Sequence, residues 1–168
     1  MPDHQDVRNF LNDNREKQGG DVARFEIKRD GRWFHDGTVF PDHRIKMVKL
    51  FSTILVRDDY GGHWLRIPNE QHKVDVEDSA YVSKSIAFEG SGPDQCIKVI
   101  TTLDAEYEIT ADTPLVMRGA VPYIRLDTGC EVRIARPHYY ELAEKALRED
   151  GHAILYSNGE PFDLGKIE

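Results

Sequence analysis

In Phe25-Glu26-Ile27-Lys28-Arg29-Asp30-Gly31-Arg32-Trp33-Phe34, apolar Phe25 and Ile27 alternate with charged Glu26 and Lys28 before an Asp-Gly pair breaks the pattern. Alternation at period two marks a half-buried strand, and Asp-Gly adopts the positive φ that a tight hairpin turn requires. The stretch therefore predicts a β-hairpin whose return strand begins at Arg32-Trp33-Phe34. A second Asp-Gly follows at Asp36-Gly37. Pro41-Asp42-His43 then opens a helix, with Asp42 as the expected cap. Ile45, Val48, Phe51 or Ser52, and Leu55 trace one face of it. Met47, Leu50 and Ile54 widen that stripe, which predicts burial of most of the helix. Gly61-Gly62 closes the connection, and His63-Trp64-Leu65-Arg66-Ile67 reads as a strand.

Upstream, Val7, Phe10 and Leu11 fall at i, i+3 and i+4 and predict a short helix. Asp3 or Asp6 can cap it, and Gln18-Gly19-Gly20 ends it. Downstream, residues 73–77 alternate again, and the interval 83–117 reads as an antiparallel meander with strands over 85–88, 97–103 and 106–110. The pattern of the first hairpin then returns. Tyr123-Ile124-Arg125-Leu126-Asp127-Thr128-Gly129 is followed by a return strand, a helix opening at Pro137-His138, and a strand after Gly151-His152. The expectation is an α+β protein of two related hairpin–helix–strand units joined by an antiparallel β-meander, forming two tightly packed subdomains. Its parts are a 1–20 arm with a short helix, a first subdomain over 21–80 and a second over 81–168.

The chain has 168 residues, with 22 Lys and Arg against 30 Asp and Glu, for a net charge of −8. That sign argues against nucleic acid and anionic membrane surfaces as partners. Two cysteines, Cys96 and Cys130, are too few for a disulfide framework. No apolar run approaches the roughly 20 residues of a membrane span, and the first residues lack the basic and apolar regions of a signal peptide. A cytoplasmic protein is expected.

Motifs for chemistry are sparse. No His-Glu-x-x-His, Cys-x-x-Cys, Gly-x-Ser-x-Gly or phosphate-binding glycine loop occurs in the sequence, so neither a metal nor another cofactor is expected. His43 with Arg44, and His138 with Arg136, take equivalent places at the two expected helix entries. Helix N-termini present unpaired N–H groups to anions. These four residues are the candidate anion pocket, set against a plain role as solvated helix ends. Arg29, Trp33 and the Glu77-Asp78 pair are further candidates. Paired carboxylates serve acid–base catalysis or hold a metal ion. Neighbouring strand residues point to opposite faces, however, so a joint role for Glu77 and Asp78 requires a break in the strand.

Arg29-Asp30-Gly31-Arg32-Trp33, Gly37, Val48-Lys49-Leu50-Phe51 and Val76-Glu77-Asp78 resemble the bacterial family known as domain of unknown function 1285. The likeness continues through Pro122-Tyr123, Arg136-Pro137, Tyr140-Glu141-Leu142 and Phe162-Asp163-Leu164-Gly165. The chain departs from the family at Val39-Phe40, where a Pro-Ile pair is expected, and in its longer helix entry Pro41-Asp42-His43-Arg44. The resemblance implies a two-part α+β fold with related halves and a role in ligand sensing or signalling. It carries over no catalytic residue. The reading that follows is a non-enzymatic module binding a small anionic ligand or a protein partner, with room for a homodimer. The alternatives are a metal-assisted hydrolase built on Glu77, Asp78 and a histidine, and an assembly component that pairs through exposed strands.

Overall fold

Asp30-Gly31 makes the turn its sequence calls for. Gly31 sits at φ +88°, and Phe25, Glu26 and Ile27 pair antiparallel with His35, Phe34 and Trp33. The computed structural model describes residues 5–10 and 24–167. Residues 5–10 are helical and form α1. Asp3, Leu11, Val22 and the Gln18-Gly19-Gly20 stop lie outside the described residues. Within α1, Val7 is fully buried, and Arg8 pairs with Glu70 at 3.5 Å.

The first sheet contains β1 (Phe25–Ile27), β2 (Trp33–His35), β3 (Thr38–Val39), β4 (Leu55–Arg57), β5 (His63–Ile67) and β6 (Glu70–Val76). Its order is β3-β2-β1-β6-β5-β4. A 3₁₀ turn, Asp42–Arg44, and helix α2, Ile45–Thr53, lie between β3 and β4. The second sheet contains β7 (Tyr81–Glu89), β8 (Cys96–Thr101), β9 (Glu106–Glu108), β10 (Leu115–Arg118), β11 (Val121–Arg125) and β12 (Glu131–Arg133), in the order β10-β11-β12-β7-β8-β9. Helix α3 (Arg136–Lys145) follows, and β13 (Leu147–Glu149), β14 (His152–Ser157) and β15 (Glu160–Lys166) make a separate three-stranded sheet. The expected meander is present as β7-β8-β9, paired antiparallel throughout.

The two six-stranded sheets are similar in wiring. Each begins at its centre, runs out to one edge, crosses to the other and returns inward. The first and last strands of each thereby lie side by side in parallel, Phe25 opposite Val74 in one and Tyr81 opposite Val132 in the other. This relates β1–β6 to β7–β12. In that pairing α2 has no counterpart, because residues 109–114 connect β9 to β10 without a helix, while α3 comes after its sheet is complete.

The chain divides into two compact units. One holds the described residues up to Ala80 together with Thr128–Cys130; the other holds Tyr81–Asp127 and the described residues from Glu131 onward. The core of the first unit is aromatic. Phe51, fully buried, meets Phe25 at 5.3 Å, Phe10 at 5.4 Å and Trp33 at 6.0 Å between ring centroids. In the second unit, Ile97, Ile124, Val132, Leu142 and Leu155 are buried. There the hydroxyl of buried Ser157 accepts from the Ile97 N–H at 3.1 Å and donates to the Ile109 carbonyl at 2.7 Å. A buried hydroxyl satisfied on both counts ties β14 to the six-stranded sheet at little desolvation cost.

Three local expectations are corrected. Asp42 makes no capping hydrogen bond, since Pro41 is the cap of the 3₁₀ turn. Only Val48, Leu50 and Phe51 of α2 are buried, and Ile45 is 40% exposed, so the helix buries one face. Leu55 belongs to β4 and pairs with Leu65. Residues 54–57 continue the apolar spacing of the helix, and cross-strand pairing with β5 outweighs that local pattern. Among the described residues no helix is long and apolar enough to cross a membrane.

Candidate functional site

The 3₁₀ turn and the first turn of α2 form one wall of a concavity of about 330 Å³. Arg44, Lys46, Met47 and Leu50 supply this wall, and Asp6, Asn9 and Phe10 of α1 supply the opposite one. The Arg44 N–H donates to the Pro41 carbonyl at 2.8 Å, which closes the 3₁₀ turn and brings Arg44 to the N-cap of α2. No side chain caps that helix, and no acidic residue lies in its first turn. The Ile45 N–H that opens the helix is taken by the Asp42 carbonyl of the 3₁₀ turn leading into it. Among the described residues, neither Arg44 nor Lys46 takes part in an ion pair. Arg24, Lys28, Arg32 and Lys84, by contrast, all do.

The apolar part of the concavity is anchored from behind. Phe10 meets Phe51 edge-on and lies 5.3 Å from the His35 ring. Leu50 is only 8% exposed, so it forms a floor. Burial holds the imidazole of His35 below its ordinary range, while the Asp36 carboxylate, 3.2 Å from Nε2, pulls the other way. A neutral ring suits that aromatic surrounding.

The other candidates fall into four places. His43 is exposed on the 3₁₀ turn beside Arg44. Arg136 and His138 belong to the second unit, at the start of α3. Arg136 Nε donates to the Tyr140 hydroxyl at 2.8 Å. His138 Nδ1 lies 2.6 Å from the Ser83 hydroxyl, which also accepts the Ala135 N–H at 2.8 Å. Ser83 Oγ thus has two partners at the start of α3, the Ala135 N–H and the His138 ring. Ser83 is 4% exposed and sits at a register shift in β7. This buried hydroxyl fastens the entry of α3 to the sheet.

Arg29, Glu77 and Asp78 do come together. β6 ends at Val76, so the two carboxylates lie past the strand and are free of its alternation. Glu77 Oε2 accepts the Arg29 N–H at 2.6 Å, and Asp78 pairs with the Arg29 guanidinium at 3.4 Å. Glu77 is thus engaged by the Arg29 backbone and Asp78 by its guanidinium. Trp33, 2% exposed, stacks on Phe51 as part of the core. Among the described residues no three His, Cys, Asp or Glu side chains are grouped to hold a metal ion. Cys130 is buried, and burial raises its thiol pKa. Cys96 donates to Asn158 Oδ1 at 2.9 Å.

Sequence reasoning singled out Arg44 but missed Lys46, Phe10 and Ser83. For Lys46 the signal was available: a basic residue in a first helical turn that holds no acid. Phe10 and Ser83 gave no local signal, because their partners lie far away in the chain.

The fold and site together define an α+β protein with two similarly wired six-stranded sheets and a concavity lined by Arg44, Lys46, Phe10, Met47 and Leu50 beside the crossover helix of the first. The chain belongs to the DUF1285 family. Its residues 15–79 match the family's N-terminal domain of unknown function, and residues 80–164 match the C-terminal domain. It is similar to the crystal structure of a DUF1285 family protein from Silicibacter pomeroyi DSS-3, at 30% identity and a TM-score of 0.77, over 85% of this chain and 80% of that one. A DUF1285 family protein from Shewanella baltica OS155 is similar at 27% identity and a TM-score of 0.58, over 72% of this chain and 91% of that one. No curated protein matches the chain.

Proposed function

We propose that this protein is a non-enzymatic binding module that takes a small anionic ligand at the concavity beside Arg44 and Lys46. One observation carries the reading. In a chain of net charge −8, two cations without ion-pair partners among the described residues, Arg44 and Lys46, line one recess against a single carboxylate, Asp6. Both are exposed, and two like charges lining one recess attract an anion more strongly than either does alone. The anion pocket expected from sequence is thereby centred on Arg44. Arg136 and His138 are already engaged by Tyr140 and Ser83, and serve the entry of α3. The engagement of Asp78 by the Arg29 guanidinium and of Glu77 by the Arg29 N–H favours this reading over a metal-assisted hydrolase.

Ligand sensing or signalling in the cytoplasm is the setting this proposal assigns, and two free cysteines accord with a reducing compartment. Calorimetric titration with acetate and inorganic phosphate tests the binding reading. Binding to the natural chain that drops at least tenfold in Arg44→Ala/Lys46→Ala supports it, and equal binding by both proteins refutes it.

A further inference from the structure

We infer that the anion is the head of a medium-length carboxylic acid, its carboxylate against Arg44 and Lys46 and its apolar body on Phe10, Met47 and Leu50. The inference rests on the binding reading above and names the ligand class for the same site. Three features of the concavity lead to it. First, its two characters are segregated: the cations stand at the helix entry, while Leu50 is a full turn further along α2 and Phe10 faces it from α1. A compact inorganic anion meets only the first of these, and the apolar wall then stays wet. An amphipathic anion meets both.

Second, Asp6 lines the same recess. A fixed carboxylate opposes a second or third negative charge on the ligand, so a monoanion suits the site better than a phosphate dianion. Third, about 330 Å³ is the space of roughly ten water molecules at ~30 Å³ each, or about as many non-hydrogen atoms. That matches an eight-carbon acid. Each methylene moved fully from water to an apolar surface tightens binding by up to about fourfold, and a half-open recess yields part of that. The acid–cation contact fixes which end of the ligand meets the helix entry.

The test is calorimetric titration of the whole chain with octanoate, acetate, inorganic phosphate and octanol, on the natural protein, Arg44→Ala/Lys46→Ala and Met47→Gln. Far-ultraviolet circular dichroism verifies that each variant keeps its fold. The expected result is octanoate binding at least tenfold tighter than acetate, phosphate or octanol. Octanoate should weaken at least tenfold in the double variant and several-fold in Met47→Gln, with acetate unchanged in Met47→Gln. Acetate or phosphate binding as tightly as octanoate, all through Arg44 and Lys46, would overturn the carboxylic acid and leave the anion reading standing. Octanol equal to octanoate, or octanoate indifferent to the double variant, overturns the placement of the carboxylate. No binding of any anion overturns both.

Discussion

The first and second six-stranded sheets follow one path from centre to edge to edge to centre, yet they use the crossing differently. In the first, residues 40–54 carry a 3₁₀ turn and α2 over the sheet, and Phe51 of that helix becomes the hub of the aromatic core. In the second, residues 109–114 form a short link closed on itself, with the Thr110 and Thr113 hydroxyls 2.8 Å apart and Thr113 donating to the Glu108 carbonyl. A link that satisfies its own polar groups leaves nothing for a ligand. A link that spends its length on a helix leaves that helix's N-terminus and flanking cations facing outward. Similar wiring thus yields one unit with a recess beside its crossing and one whose helix is displaced to the chain that follows.

Substitutions at the hub separate these roles most sharply. Phe51→Ala should cost the first unit about 3–5 kcal/mol, since deletion of a large buried aromatic loses transfer energy and leaves a cavity. Both tryptophans, Trp33 and Trp64, lie in the first unit, so fluorescence reports on that unit alone. The denaturation midpoint by fluorescence should fall, and amide exchange should rise more across β1, β2 and β6 than across β7 to β12. Equal exchange in both would break the assignment of Phe51 to one core.

Next comes Gly129, which sits at φ +82° with the place of a Cβ 2.7 Å from the Arg57 carbonyl oxygen. That carbonyl belongs to backbone already tied to the tip, because the Arg57 N–H donates to the Thr128 carbonyl at 3.0 Å. Gly129→Ala therefore combines a strained conformation with a backbone clash and should cost about 2–4 kcal/mol. Gly37→Ala, at φ +84° with nothing within 4 Å, carries the strain alone, about 1–2 kcal/mol. Chemical denaturation of the two variants measures the difference, and equal losses would show that the approach of Arg57 does not matter.

What the sequence made legible follows the range of the interaction. Asp30-Gly31 and the alternation around it specify a hairpin through neighbours alone, as do the meander strands β7, β8 and β9. The helix at α2 was legible, but its end was not, since Leu55 pairs with Leu65 across a turn and leaves the helical stripe. The repeat drawn from hairpin and helix order set Phe25 beside Tyr123. Sheet pairing instead relates β1 to β7, because the parallel contacts that define each sheet's centre join residues about fifty apart and leave no local pattern. At the site, Arg44 was legible as a cation at a helix entry. Phe10 and Asp6 were not, because only the docking of α1 brings them to α2.

Ser83→Ala acts on the second unit's helix alone. It removes the acceptor for the Ala135 N–H and the hydrogen-bond partner of His138 Nδ1, leaving a peptide N–H without its partner at the entry of α3. The cost should be about 1–3 kcal/mol, read in the global transition by circular dichroism. Ser83→Thr keeps the hydroxyl and should recover most of it. If Ser83→Ala is as stable as the natural chain, the hydroxyl does not fasten α3.

The smallest expected effect is one of pH, and it belongs to the first sheet. His63, at the start of β5, is held at a pKa of about 4 against an ordinary 6.5, through burial and the neighbouring Arg57 guanidinium. The unfolded chain therefore takes up a proton that the folded chain refuses. Stability is unaffected above pH 6.5 and falls as the pH drops from 6.5 toward about 4. His35, also held low by burial, acts in the same direction. Asp58 behaves differently. Hydrogen bonds from Trp64 Nε1, Gly62 and Tyr60 hold its carboxyl below the ordinary range, so its contribution is present above that range and lost only in stronger acid. Denaturant midpoints by tryptophan fluorescence between pH 7 and 4 should fall less steeply for His63→Gln than for the natural chain. The residual slope should come from His35, and the two curves should run parallel once the pH is below about 4. Identical curves throughout would mean that His63 titrates alike in the folded and unfolded chain, and that the guanidinium of Arg57 does not weigh on it.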